Sequence, residues 1–283
     1  MIHMGSLRVH HMHGGRGTPV LFIHGLGSSG YMEWRFNLEP AAAHHRVYAP
    51  DLPGFGRTEK PRARYGVPYF TRFIDRYMED RGLRSAAVVG ASLGGRIALE
   101  LTLEHPKRVS KLVLVNALGL GRPNIQLSYG MMTLPGVGEA FMKFASDALR
   151  WAPQPMIRRV AARYAGSSGN LKRTMDDDYF ANLRELYAAD GYPDAYLATV
   201  RSLVTPKALL AADHDLSKRL AEIKVPVQLI WGADDPLFPV AHAARAHTLI
   251  KQSRLAVLEG AGHTPQADRP EEFNRVLDHF LST

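Results

Sequence analysis

Three residue types, met in order along the chain, could together cleave an acyl bond. They are a serine between glycines, an aspartate after a later apolar run, and a histidine near the end. Ser92 stands in Val-Val-Gly-Ala-Ser-Leu-Gly-Gly, residues 88–95. A β-branched apolar run ends in Gly-x-Ser-x-Gly, and a helical pattern carrying Leu93, Ile97 and Leu101 starts at once. A hydroxyl on so sharp a strand-to-helix turn points into a cleft, and Gly90 and Gly94 keep the turn free of side chains. Three fixed positions arise by accident in about one chain in ten, so the residues downstream decide the reading.

A serine hydroxyl is a weak nucleophile at neutral pH. It needs a base to take its proton and an acid to orient that base. His263 is the candidate base, in Gly-Ala-Gly-His-Thr-Pro after the apolar run 255–258. Asp234 and Asp235 are the candidate acids, in Trp-Gly-Ala-Asp-Asp-Pro after the run 227–231. Asp-Asp-Pro also favours a turn by itself, so one of the two carboxylates is expected to serve only the turn. Negative charge on the attacked carbonyl oxygen needs backbone N–H donors. The Leu93 amide is one, and His24-Gly25-Leu26-Gly27, after an early strand, supplies the Leu26 amide as the other. This chemistry requires no metal and no cofactor.

Short apolar runs must position these groups. Residues 20–24, 46–49, 86–89, 112–115, 227–231 and 255–258 are near-continuous in Val, Leu and Ile, as strands buried on both faces are. Amphipathic stretches at 68–81, 93–104, 240–250 and 270–281 lie between or after them. The alternation predicts an α/β fold with a doubly wound, mostly parallel sheet, and residues 7–13 alternate as an antiparallel edge strand would. Ser92, Asp235 and His263 then fall at carboxyl ends of strands, where open sheets build their sites. Between about 120 and 223 the alternation stops. A structureless loop of that length is implausible in a compact domain. The expected organisation is a core of residues 1–119 and 224–283 with a helical insertion at 120–223.

Taken together the motifs resemble the α/β-hydrolase superfamily, of the kind with a helical cap. The matching residues are His24-Gly25-Leu26-Gly27, Asp51-Leu52-Pro53-Gly54-Phe55-Gly56, Gly90-Ala91-Ser92-Leu93-Gly94-Gly95, Gly232-Ala233-Asp234-Asp235 with Pro239, and Gly262-His263. The resemblance implies that Asp235, third after Gly232, is the acid. It also implies that 120–223 is a cap that closes the cleft and selects substrate. Haloalkane dehalogenases and epoxide hydrolases of that superfamily use an aspartate nucleophile, so Ser92 argues against both despite Tyr164, Tyr187, Tyr192 and Tyr196. Meta-cleavage C–C hydrolases usually carry Trp after the catalytic histidine and Asn before the nucleophile, where this chain has Thr264 and Ala91. The favoured activity is therefore hydrolysis of carboxylic esters or lactones of small to medium apolar substrates through an acyl-serine. C–C hydrolysis or cofactor-free perhydrolysis on the same triad is the alternative, and a slow ligand receptor that keeps its triad is a third class. Met132, Phe141 and Phe144 are expected to line an acyl pocket, with packing of the insertion as the competing role.

The whole chain sets bounds. Its 283 residues, 46% hydrophobic and 22% charged, fit a soluble globular protein. The formal charge of +8 is spread along the chain without a dense block, which sets nucleic-acid binding aside. There is no cysteine, no apolar run of membrane-span length and no secretory leader, so a cytoplasmic location is expected. The expected partner is a small ester-type molecule, and a homo-oligomer is left open. Gly25-Leu26-Gly27-Ser28-Ser29-Gly30 with Asp51 also fits a dinucleotide-binding turn and its ribose acid. An NAD(P)-binding oxidoreductase is the remote alternative. His3, His10, His11 and His13 are read as exposed strand histidines before metal ligands.

Overall fold

A computed structural model describes residues 1–124, 127–153, 155–159, 175–204 and 215–283. Seven strands form one sheet in the order β3-β5-β4-β6-β7-β8-β9. They are β3 (His11–Gly14), β4 (Pro19–Ile23), β5 (Arg46–Pro50), β6 (Ala86–Ala91), β7 (Val109–Val115), β8 (Val227–Gly232) and β9 (Ser253–Leu258). All pairs are parallel except β3 on β5. The expected edge strand at 7–13 is divided. β1 (Ile2–Met4) and β2 (Leu7–Val9) pair as a separate two-stranded ribbon, and only β3 joins the main sheet.

The strands are near-continuously apolar because both faces are covered. Along β7, Leu112 and Leu114 point into one core layer and Val113 and Val115 into the other. The first layer is roofed by α3 (Val67–Asp80) and α4 (Leu93–Glu104). The second is roofed by α1 (Gly30–Trp34) and α2 (Leu38–Ala42), which bring Trp34 and Leu38. Each fully buried Val, Leu, Ile or Phe contributes roughly 1.5–3 kcal/mol. A strand register slipped by one residue would exchange the two layers, so this burial also fixes the register.

Between β7 and β8 the described residues carry α5 (Leu127–Met132), α6 (Val137–Trp151), α7 (Asp177–Ala188) and α8 (Tyr192–Leu203), followed by a 3-10 turn at Ser217–Glu222. Leu149, Ile157, Met175 and Phe180 form a small cluster of their own there, while Tyr192, Tyr196, Leu197 and Val200 join the first core layer. Three polar links tie α7 and its N-cap to the core loops. Arg35 bridges Asp176 (2.9 Å) and Asp178 (2.8 Å), Tyr31 donates to Asp178 (2.9 Å), and Arg57 forks onto Glu185 (2.8 Å at both nitrogens). After β8 come α9 (Val240–Leu249), α10 (Pro265–Asp268) and α11 (Pro270–Ser282). α9 covers the first layer, and α11 brings Phe273, Leu277 and Phe280 to the second. Among the described residues no helix is long and apolar enough to cross a membrane.

Candidate active site

Ser92 sits between β6 and α4 with φ 52° and ψ −116°. Among the described residues only it and Asn116 combine a side chain with positive φ. Such a conformation costs on the order of 1–3 kcal/mol and persists only where its surroundings enforce it. Here the Ser92 N–H donates to Val115 O (3.0 Å), and the Ser92 carbonyl accepts from Leu118 N (3.0 Å). A Cβ at Gly90 would lie 2.4 Å from Gly94 O, and one at Gly94 would lie 2.2 Å from Ile23 O, so neither position admits a side chain. The turn is tight because the first turn of α4 lies against both β6 and the end of β4.

Asp235 follows β8, and its side chain is wholly buried. Oδ1 accepts from the backbone N–H of Leu237 (2.8 Å) and Phe238 (3.2 Å). Oδ2 accepts from Asn116 Nδ2 (2.5 Å) and His263 Nδ1 (2.9 Å). Asp234 is exposed. Asn116, which the sequence reading passed over, joins three strand ends. It also donates to Gly262 O (3.0 Å), and its Oδ1 accepts from Gly232 N (2.9 Å). The available signal was a polar residue directly after the apolar run 112–115, beside the serine strand. Trp231 braces the same loop by donating Nε1–H to Phe238 O (2.8 Å).

His263 follows β9 and lines the same cleft as Ser92. With its Nδ1–H given to Asp235, Nε2 is the nitrogen left to accept a proton. Burial is the largest single influence on this ring and favours its neutral form. The Asp235 hydrogen bond and charge, helped by Glu33 and Asp268, together outweigh burial and raise the pKa above 6.5. A base must be unprotonated to act. The acid limb of kcat/KM against pH is therefore expected above 6.5 for an uncharged substrate. A limb below 6.5 would show that Asp235 does not hold the ring in the working enzyme.

Leu26 and Leu93 line the cleft beside Ser92. Among the described residues neither backbone N–H has an acceptor, so both remain available to a developing oxyanion. Glu33 in α1, another residue not singled out from sequence, holds this turn from behind. Its Oε2 accepts from Gly25 N (3.1 Å) and its Oε1 from Gln266 Nε2 (2.6 Å).

The expected acyl-pocket residues lie elsewhere. None of Met132, Phe141 and Phe144 lines the cleft. Met132 is packed into the core. α6 has two apolar stripes one residue apart. The stripe with Met142 and Leu149 faces inward, so Phe141 is 37% and Phe144 71% exposed. The apolar wall is built instead by Leu118, Val200, Leu203, Val204, Leu237 and Phe238. Of the tyrosines, Tyr196 packs on Gly27, where a Cβ would meet its ring at 2.9 Å. Tyr187 and Tyr192 pack as a tilted pair with ring centroids 5.1 Å apart, and Tyr164 lies outside the described residues.

The dinucleotide alternative loses its acid. Asp51 is buried and already accepts from Gly30 N (2.7 Å), Arg57 N (2.8 Å) and His10 Nδ1 (2.9 Å). The helix after the glycine turn is only five residues long. His11 bonds Tyr77 (2.6 Å), and no group of three or more His, Cys, Asp or Glu suited to a metal occurs among the described residues.

The sheet order and a serine on a strained turn between β6 and α4 define the α/β-hydrolase class. The family model described as the alpha/beta hydrolase fold matches residues 18–270, and the chain belongs to that family. Among relatives, an uncharacterized protein of Mycobacterium tuberculosis is 30% identical over 275 residues, covering 95% of this chain and 76% of its own. The 2-hydroxy-6-oxo-2,4-heptadienoate hydrolase of Pseudomonas putida is 28% identical over 279 residues, covering 95% and 90%. Among solved structures, a meta-cleavage product hydrolase from Pseudomonas fluorescens matches with TM-score 0.78 at 23% identity, covering 98% and 94%. A thermophilic esterase from Thermogutta terrifontis matches with TM-score 0.75 at 20% identity, covering 98% and 93%. At these identities the structures share the fold.

Proposed function

We propose that the chain is a serine hydrolase of carboxylic esters, lactones included, acting through an acyl-serine. The observation that carries this is His263, bound at 2.9 Å to a buried carboxylate and facing the same cleft as a serine on a strained turn. In this reading His263 Nε2 takes the Ser92 proton as Oγ attacks the carbonyl carbon. The Leu26 and Leu93 amides receive the oxyanion, and the imidazolium, steadied by Asp235, protonates the leaving alcohol. Water activated by the same nitrogen then releases the acid. Residues 120–223 act as the cap, and their contribution to the cleft wall selects substrate.

The acyl chain lies in the apolar lobe, so Val200 and Leu203 of α8 limit its length. A methylene matched or missed in such a pocket changes kcat/KM about 10- to 200-fold. Leu203→Ala is expected to move the optimum of a p-nitrophenyl ester series to longer acyl chains, with acetate changing least. An equal fall at every length would show that Leu203 only holds the helix in place.

A second reading, C–C bond hydrolysis, is supported by the 28% identity to the Pseudomonas putida heptadienoate hydrolase along most of both chains. A meta-cleavage dienoate in the same assay separates the two. Turnover of the dienoate, with no ester hydrolysed at comparable kcat/KM, would replace the first reading with the second.

A further inference from the structure

The cleft divides at Ser92 and His263 into two lobes, the second mixed in character, with Met32, Met175 and Tyr179 among its polar groups, and the more polar of the two. One is the apolar lobe under α8. The other runs under the oxyanion turn and carries Ser28, Glu33, Arg35, Thr264 and Gln266 in its wall. Its charges are unequal in their freedom. The Arg35 guanidinium is committed to two carboxylates, Asp176 and Asp178. Among the described residues no lysine or arginine pairs with Glu33. Its carboxylate accepts only from the Gly25 amide and the Gln266 side chain, which leaves each oxygen a lone pair.

Gln266 adds a second acceptor. Its Nε2 must face Glu33, because an amide oxygen turned to a carboxylate would be repelled. Oε1 is thereby forced away, and it is buried without a hydrogen-bond partner although the residue is only 1% exposed. A buried acceptor left unpaired is costly. A carboxylate in the wall with no lysine or arginine partner among the described residues, and a lone pair left on each oxygen, attracts a donor and repels an anion.

We propose that this polar lobe is a subsite for a hydrogen-bond-donating half of the substrate, a hydroxyl, amide N–H or ammonium, and that Glu33 excludes carboxylates from it. The proposal rests on the serine-hydrolase reading and narrows it. It sets substrates with a carboxylate on the alcohol side at a disadvantage, and it makes Glu33 a specificity determinant.

Three hexanoate esters test it, with 4-aminobutyl, 4-hydroxybutyl and 3-carboxypropyl alcohol halves. For the wild-type protein kcat/KM is expected to be at least tenfold higher for the ammonium and hydroxyl esters than for the carboxylate ester. Glu33→Gln keeps an acceptor for Gly25, and a flipped Gln266 amide can accept from it, so this change removes charge while sparing the bonds. It should shrink the ratio at least fivefold, mainly by raising the rate on the carboxylate ester. Calorimetric Kd values of the same esters for Ser92→Ala read the lobe without turnover. Binding in the expected order with no ester hydrolysed by the wild type would leave the subsite standing and remove the ester reading. Ester turnover with equal rates and equal Kd values for the three would do the reverse. A carboxylate ester bound or cleaved as well as the ammonium ester overturns the proposal, as does an unchanged ratio in a folded Glu33→Gln protein. The wild-type ratios decide alone should that variant fail to fold.

Discussion

Ser92→Ala is expected to lower kcat on esters by on the order of 10⁶ while leaving the fold intact, the loss seen when a nucleophile acts as a unit with its base. The reasoning starts from the turn. The backbone at φ 52° is held by Val115 O, Leu118 N and the glycines at 90 and 94, and the serine oxygen takes no part in those bonds. Removing Oγ therefore deletes the proposed nucleophile and leaves the supports. The measurement is kcat on p-nitrophenyl butyrate beside a thermal unfolding curve. A variant with the wild-type unfolding curve and more than a tenth of the activity would show that the reaction does not pass through Ser92.

Asp235→Asn is expected to cost roughly 10⁴ in kcat, and Asp234→Asn to leave kcat within a few-fold of wild type. Asp235 accepts four hydrogen bonds, from Leu237, Phe238, Asn116 and His263. An amide has one acceptor oxygen and would set its NH₂ against donors that have nowhere to turn. The backbone donors and Asn116 are fixed, so the histidine is the partner able to change tautomer. Nε2 then carries the proton and cannot take one from Ser92. Loss of the carboxylate also lets burial prevail at His263, so any residual activity should show its acid limb at lower pH. Asp234 is exposed and bonds through its backbone N–H to Ala261 O (3.0 Å), the role of a turn residue. A larger loss at Asp234 than at Asp235 would reverse the assignment.

The parallel strands and the ends that carry Ser92, Asp235 and His263 were readable because their signals are local. An apolar run of four or five residues, a glycine pair at fixed spacing and an Asp-Asp-Pro turn each act within a few residues of chain. Five of the expected strands are extended by one to three residues, as ladder hydrogen bonds reach past the last apolar side chain, while the one expected at 20–24 is shifted by one residue to Pro19–Ile23. The β1–β2 ribbon was missed because its strands have only three residues each, too few to show a period.

What the sequence by itself determined is the order of chemistry-bearing residues and the sheet that brings strand ends to one side. Both follow from periodicity and turn stereochemistry, which a chain carries wherever it folds. Which groups meet between distant elements was decided only by the tertiary structure. Asn116 reaches Asp235 across 119 residues, and Glu33 reaches Gln266 across 233. No local pattern records such pairs, because they arise when separate strand ends and loops converge. The same holds for Phe141 and Phe144. On a helix with two apolar stripes, composition leaves the inward stripe undecided, and packing against α7 and α8 turned Met142 and Leu149 inward and left the phenylalanines to solvent.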